Sequence, residues 1–405
     1  MIKRYFLNHK KRNFSTVTIW IKGGSDKDSI SKKGINKILC SLLTRGCEGF
    51  DNFHLSEYIE SYGAELNQEV YEDGISLSIK SLNEHFNKLL PLLDSIINKP
   101  LLSEIEFHKV KKSSIDLLKK DKENPFNICF EKWRQIVYLT HPYAFNTIGN
   151  ENDVKKIIYK DVLNEYKNFQ RREKFMISNN LEINGESVEK EDQKINKEIF
   201  YLRNYDLDPA KRFDYTNNDS SQTIMMIGNQ TCSRRSNEYL PLKVLESYLS
   251  YGMSSALFKL FREKNGITYD LGVFNPLRNG NAPFMVYLSV SNKNAIFAFE
   301  LLSSLWKNLL LKPLIDDELY LAKEKLKGSF LIGNQYLDEI LLRKIQLISY
   351  GVLPITEIDL ISKIDVISSI DIFKLTNKYF SKPFFSISGS ERICLEINNR
   401  WIKNF

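Results

Sequence analysis

The sequence predicts an α+β protein of two duplicated domains, each an antiparallel-rich sheet with helices packed mainly on one face. The first observation behind that reading is an internal repeat. A β-rich run at Thr16-Val17-Thr18-Ile19-Trp20 returns as Gln222-Thr223-Ile224-Met225-Met226, an offset of 206 residues. The helical face of Leu82, Phe86, Leu89, Leu90, Leu93, Ile96 and Ile97, ending at Lys99-Pro100-Leu101, returns as Ile296, Phe299, Leu302, Leu305, Trp306 and Leu309, ending at Lys312-Pro313-Leu314, an offset of 213. Ile157, Asp161, Val162 and Phe169 return as Ile367, Asp371, Ile372 and Tyr379, an offset of 210. Three segments in one order at nearly one offset imply two copies of a domain. The second observation is that strands precede and interrupt the helices of each copy instead of alternating strictly with them, which favours helices segregated to one face of a sheet over a doubly wound fold. The third is length: 405 residues make about two to three domains, each large enough to close its own core.

Along the chain, the run from Thr16 to Trp20 has the β-branched and aromatic residues of a strand. Ser81-x-x-Glu84 has the spacing of a capping box, so the helix carrying Phe86 to Ile97 is expected to open there and to stop at Pro100. The stretch from Gly185 to Lys194 is polar and has no apolar period, which makes 185–215 a linker between domains at 1–184 and 216–405. In the second copy Leu257, Leu260 and Phe261 mark a helix that Asn265-Gly266 would cap at its C-terminal end. The runs from Tyr269 to Phe274 and from Phe284 to Val290 read as a hairpin, with Arg278-Asn279-Gly280-Asn281 supplying an Asn-Gly tight turn. Phe86, Trp133, Phe299 and Trp306 are core residues by their period.

Composition excludes several function classes. Cys40, Cys47, Cys129, Cys232 and Cys394 are odd in number and scattered, without a C-x-x-C pair, so buried free thiols are expected and not a disulfide framework or zinc ribbon. A formal net charge of +7 is small for the length, and Lys10-Lys11-Arg12, Lys111-Lys112 and Lys119-Lys120 read as solvated faces, so no nucleic-acid partner is expected. No apolar run approaches the ~20 residues that span a bilayer, and the first residues lack a signal peptide's apolar stretch, so the expectation is no membrane partner and a cytoplasmic location. His9, His54, His85, His108 and His141 form no i,i+4 pair and no H-E-x-x-H or H-x-x-E-H, so no metal is expected in this chain. Cys40 and Cys47 with His54 are a conceivable metal set, but two thiols seven apart on one helix face read as core.

Gly24-Ser25, the helix start at Gly34-Ile35, Ser61-Tyr62-Gly63-Ala64-Glu65-Leu66-Asn67, Asn124-Pro125 and His141-Pro142-Tyr143 precede a longer run. That run is Gly252-Met253-Ser254-Ser255-Ala256-Leu257-Phe258 through Arg262-Glu263-Lys264-Asn265-Gly266-Ile267-Thr268-Tyr269. In this order they make the chain resemble the pitrilysin/insulinase zinc metallopeptidases, with a processing-peptidase-like architecture, over nearly its whole length. Active members carry H-x-x-E-H on the helix after the Gly start and a distal Glu on a later helix. Two imidazoles and a carboxylate hold Zn²⁺ there, and a second carboxylate takes a proton from the bound water. The matching positions here are Lys37, Cys40 and Ser41; counting back from Asn124-Pro125, the distal position falls on Leu117, beside Asp116. The resemblance thus implies a zinc motif lost at all four positions and no peptidase activity in this chain alone.

What the resemblance retains lies in the second copy. On pattern alone Arg262 is a solvated charge near a helix C-terminus or a functional donor, and Tyr269 is a packed strand aromatic or its companion seven residues on. In the family, Arg and Tyr at these matched positions bind substrate across from the zinc. Both are donors and suit a substrate carbonyl and the oxyanion that forms from it. Asn67 falls in a stretch that in the family lines the chamber, or in an ordinary strand after a Gly turn. The resemblance therefore implies a non-catalytic subunit of a heterodimer. It would hold no cofactor, pair with a zinc-bearing homologous subunit, form half of a chamber for peptide substrates, and supply Arg262 and Tyr269 to the partner's active site. The alternative is a zinc-less scaffold or assembly protein derived from the same fold, without a role in proteolysis. The Arg/Tyr pair favours the first reading. The single glycine of Ser247-Tyr248-Leu249-Ser250-Tyr251-Gly252, where processing-peptidase subunits carry a Gly-rich loop, favours a bacterial-type two-chain enzyme.

Overall fold

The two β-rich runs that begin the repeat become the middle strands of two separate sheets. The computed structural model describes residues 2–7, 12–180, 183, 185–187, 208–333, 335–352, 354 and 357–405, so most of the linker expected at 185–215 lies outside the described residues. The first sheet uses β1 (Ile2–Phe6), β2 (Phe14–Lys22), β5 (Glu65–Val70), β6 (Gly74–Leu82), β7 (Lys174–Ser178) and β8 (Glu186–Ser187), with β3 (Gly46–Cys47) and β4 (Phe50–Asp51) as a small separate ribbon. The second uses β9 (Phe213–Asn217), β10 (Gln222–Gln230), β11 (Thr268–Phe274), β12 (Pro283–Ser291) and β13 (Phe384–Gly389). Their orders are β5-β6-β2-β7-β1-β8 and β11-β12-β10-β13-β9. Without β8 the two sheets have one topology. In each, the long middle strand is antiparallel to both neighbours. In each, the first strand of the copy lies parallel to the last. The repeat seen in sequence is thus a repeat of strand order, on an α+β plan.

Two compact units result. One comprises Met1–Lys120, Phe145–Asn196 and Asn334–Pro354; the other comprises Asp121–Ala144, Lys197–Gly333 and Ile355–Phe405. A single cut in the linker would not separate them, because 121–144 and 334–354 each pack with the unit formed mainly by the other half of the chain.

Strand alternation explains why each sheet needs two coverings. In the first unit Val17, Ile19 and Ile21 of β2 point into a core shared with the helices Ile35–Leu43, Phe86–Asn98 and Tyr159–Gln170. The opposite face carries Thr16 and Trp20 and meets one helix, Leu337–Ser349. There the Thr16 hydroxyl donates to Asp338 at 2.8 Å, and Trp20 meets the Tyr350 ring edge-on at 6.5 Å. In the second unit Met225 and Ile227 of β10 face the helices Tyr239–Ser250, Ala295–Leu311, Ser369–Phe380 and Glu391–Asn404. The far side of that sheet is covered by the helix Pro125–Tyr138. Its Trp133 indole, fully buried, donates to the Phe384 carbonyl at 3.3 Å, and the Cys129 thiol donates to the Ile224 carbonyl at 3.6 Å.

The third repeated segment is a matched helix start. Asp161 accepts the Ile158 N–H at 3.0 Å, and Asp371 accepts the Ser368 N–H at 3.0 Å. Each carboxylate satisfies an N–H that the first helical turn leaves open. Two local expectations fail. Ser81 and Glu84 form no capping box: β6 runs on to Leu82 with Ser81 paired to Ser15, and a short 3₁₀ turn at Asn83–His85 leads into the helix Phe86–Asn98. The ladder claims the backbone that the cap would have needed. Asn279-Gly280 is no tight turn either, since β11 and β12 are joined by residues 275–282. The Gly280 N–H donates to the Tyr143 hydroxyl at 3.0 Å, and a Cβ at Gly280 would meet that oxygen at 3.1 Å, so the glycine serves close approach. Phe86, Trp133, Phe299 and Trp306 are core, and all five cysteines are buried free thiols. No helix among the described residues is long and apolar enough to cross a membrane.

Candidate functional site

The helix Ile35–Leu43 carries three of the motif positions, and its start is held from several sides. Gly34 has φ +95°, and a Cβ there would come within 2.2 Å of the Ile148 carbonyl oxygen, so only glycine fits. With no side chain at that cap, Asp28 takes over: its carboxylate accepts the Gly34 N–H at 2.6 Å, the Asn36 N–H at 3.2 Å and the Asn36 amide at 2.7 Å. Asn36 in turn accepts from Arg172 at 2.9 Å, and Arg172 also donates to the Gly23 carbonyl at 3.0 Å and pairs with Glu165. Burial pushes the Asp28 carboxyl up to about 6, against the pull of Asn36, the Gly34 N–H and Lys33.

The motif residues point in different directions from this anchored helix. Lys37 is mostly covered, and its ammonium lies 3.6 Å from Glu69 of β5. Cys40 is fully buried, and burial pushes its thiol up to about 12, so at neutral pH it is an uncharged core group unable to take a proton from water. Ser41 is half-buried; its carbonyl accepts from the Thr44 hydroxyl at 3.3 Å, and that hydroxyl also meets Gln68 of β5. Leu117 stands 41% exposed on the helix Glu104–Asp121. Asn67 is exposed on the edge strand β5, opposite Ser78. The structure therefore brings Lys37, Ser41 and the neighbours of Asn67 to one helix–strand contact. An ammonium, a neutral buried thiol, a hydroxyl and an exposed leucine do not fit a zinc ion.

Nor do the thiols assemble with a histidine. Cys47 lies in β3, beyond the helix that holds Cys40, because that helix ends at Leu43. His54 is exposed, with its Nδ1 2.9 Å from the Asp51 carboxylate. Among the described residues no three His, Cys, Asp or Glu side chains are grouped to hold a metal. His9 lies outside the described residues.

The second unit presents its motif on an unusual turn. After Gly252, at φ +71°, the chain enters a helix that widens into a π-helical turn at Phe258–Glu263, with the Lys264 N–H donating to the Lys259 carbonyl at 3.0 Å. Gly266, at φ +59°, closes it by donating to the Arg262 carbonyl at 3.1 Å, while the Asn265 amide donates to the Leu260 carbonyl at 2.7 Å. The Asn-Gly ending is thus legible in sequence; the π turn is not, since it arises from one extra residue in the helical ladder. Leu257 and Phe261 anchor the turn in the core. Arg262 is exposed, its guanidinium 5.2 Å from the centre of the Phe258 ring, and it makes no hydrogen bond or ion pair with a described residue. Tyr269 sits in β11, where the ladder register shifts between Thr268 and Asp270; its side chain lies outside the described residues. The Thr268 hydroxyl holds that shift, 2.9 Å from the Asp270 carbonyl and 2.7 Å from that of Ser289. Residues that sequence reasoning did not single out are Asp28 and Glu69, which became visible only once the fold set their partners.

Comparison with known proteins fits this architecture. The chain matches the family described as Insulinase (Peptidase family M16) over residues 4–151, and the Peptidase M16 inactive domain over residues 185–326. It is 23% identical over 300 residues to an "Uncharacterized zinc protease" of Rickettsia bellii (strain RML369-C), covering 73% of this chain and 72% of that relative. In fold it is similar to the peptidase M16 inactive domain from Pseudomonas fluorescens, with TM-score 0.80 and 18% identity over 95% of both chains. It is also similar to a protease from Helicobacter pylori, with TM-score 0.82 and 16% identity over 94% of both.

Proposed function

Because the chain belongs to the insulinase (peptidase M16) family, yet carries Lys37, Cys40, Ser41 and Leu117 at the motif positions, we propose that it is the non-catalytic subunit of a heterodimeric zinc endopeptidase. The partner is a homologous subunit with H-x-x-E-H intact, which brings the metal. This chain forms half of the peptide chamber and supplies donors. Arg262 carries the proposal: it is an exposed guanidinium on an anchored turn, with no carboxylate among the described residues to neutralise it. Such a group is available to a peptide carbonyl and gains strength as negative charge grows on that oxygen. Tyr269 would add a phenolic donor and Asn67 a polar edge for the extended peptide, both in the cytoplasm.

The test is to purify the chain together with a zinc-bearing homologue and measure peptide hydrolysis. Arg262→Ala should lower kcat about 10²- to 10³-fold, the usual cost of losing one oxyanion donor, with the pair still assembled. Tyr269→Phe should lower it in the same direction. An unchanged kcat in an intact pair removes both residues from the reaction. A pair no more active than the zinc-bearing subunit alone would make this chain a scaffold.

A further inference from the structure

Behind the turn that presents Arg262, the second unit has a cleft of about 270 Å³. Its floor is apolar, made by Ala256 just before the turn, Leu260 within it, and Leu301 and Leu305 of the helix Ala295–Leu311. Its rim carries Lys259 and Lys264, and no carboxylate among the described residues lines it. Tyr248, on the lining, donates its hydroxyl to Glu318, which lies off the lining, at 3.2 Å. A third cation, Lys325 on the helix Asp316–Gly333, lies off the lining and is half-buried; burial first, and the charge of Lys259 second, hold its ammonium below the usual lysine range. The side chains of Lys259, Lys264 and Lys325 make no hydrogen bond or ion pair with a described residue. Lys259 and Lys264 are exposed and hydrated, so together they offer an anion two cations beside an apolar floor.

We propose that this cleft binds a small amphipathic carboxylate. The apolar body lies on Leu260, Leu301 and Leu305, and the carboxylate accepts from Lys259 and Lys264 at the rim. The volume is at the small end for a ligand site and suits a short acyl chain or one or two apolar residues. A free short-chain fatty acid and the C-terminus of a peptide ending in apolar residues share this chemistry. Lys259 and Lys264 are also the two ends of the hydrogen bond that closes the π turn, so an anion between them would brace the segment that carries Arg262. The site stands on its own geometry and needs no role for Arg262.

Titration calorimetry of the full chain, with octanoate and with acetyl-leucyl-leucine as probes, tests it. Saturable binding of at least one probe is expected, and the tighter of the two identifies the source. Charge-assisted contacts of this kind lead us to expect that Lys259→Gln with Lys264→Gln weakens binding about tenfold or more, with an unchanged circular dichroism spectrum. Inorganic phosphate, which lacks the apolar body, should bind more weakly than either probe. The proposal fails if neither probe binds at millimolar concentration, if the double variant binds as the parent does, or if phosphate binds as well as the tighter probe.

Discussion

The two units share strand order and helix starts, but the segments that carry their motif residues treat charge in opposite ways. In the first, the charged groups around the motif helix are closed on one another: Asp28 with Gly34 and Asn36, Asn36 with Arg172, Arg172 with Glu165, and Lys37 with Glu69. In the second, the matching helix Tyr239–Ser250 is closed likewise, Lys243 with Glu246 and Glu246 with Asn275, whereas the later turn Phe258–Glu263 leaves the side chains of Arg262, Lys259 and Lys264 without such a partner among the described residues. A duplicated scaffold therefore does not duplicate chemistry. The fold repeats because both copies bury the same alternating strands, while side chains outside the core are free to diverge.

The coverings of the two sheets offer the strongest way to break this comparison. Trp133 is wholly buried on the helix that closes the second sheet, and its indole is bonded to β13. Trp133→Ala should destabilise that unit by about 3–5 kcal/mol, through lost transfer energy and the cavity left behind. Urea unfolding followed by hydrogen exchange would show early loss of protection in β10 and β13, with β2 and β7 unaffected. Equal loss in both sheets would mean that the units do not unfold separately, and the contrast between them would lose its thermodynamic meaning.

The charge network of the first unit predicts a pH signature. Burial raises Asp28 from 3.8 to about 6, so between those values the folded state keeps a proton that the unfolded chain has released. Stability then falls as pH rises from about 4 to 6 and levels off above that. The full change is on the order of 3 kcal/mol, since one unit is about 1.4 kcal/mol. Asp28→Asn removes that titration. Relative to the parent, its Tm should improve steadily from pH 4 to pH 6 and then hold a constant offset. Parallel Tm curves across the window would show that Asp28 titrates normally.

Much of the fold was legible because it rests on periodicity. Thr16 to Trp20, the Phe86 to Ile97 face and the Asp161/Asp371 positions recur because strand alternation, helix amphipathicity and helix starts each leave a pattern in a single sequence. Placement between copies left none. Nothing in the run from Pro125 to Tyr138 says which sheet it will cover, because either sheet offers an apolar second face. The Ser81-x-x-Glu84 and Asn279-Gly280 signals misled for one reason: a local motif forms only when the backbone is not already claimed, by the β6 ladder in one case and by the approach of Tyr143 in the other. At the candidate site, the identities of Lys37, Cys40 and Arg262 were readable. Their states were not, since Glu69, complete burial and the π turn belong to tertiary structure.

The smallest expected effect bears on the Lys37–Glu69 pair. Glu69 is 55% exposed and the pair is 3.6 Å apart, so its Coulomb energy is largely screened and the side chains lose rotamer freedom to hold it. Glu69→Gln should change stability by less than about 1 kcal/mol in thermal unfolding, and the difference should vanish in high salt. A loss of several kcal/mol would mean that Lys37 is desolvated enough to need its counterion, as an ion pair in a closed cavity would be. Lys37 would then be an internal structural cation, and the first unit's closure of charge would be a condition of its folding. A small, salt-sensitive effect leaves the closure as a local neutralisation, with the burden of stability on the apolar faces of the two sheets.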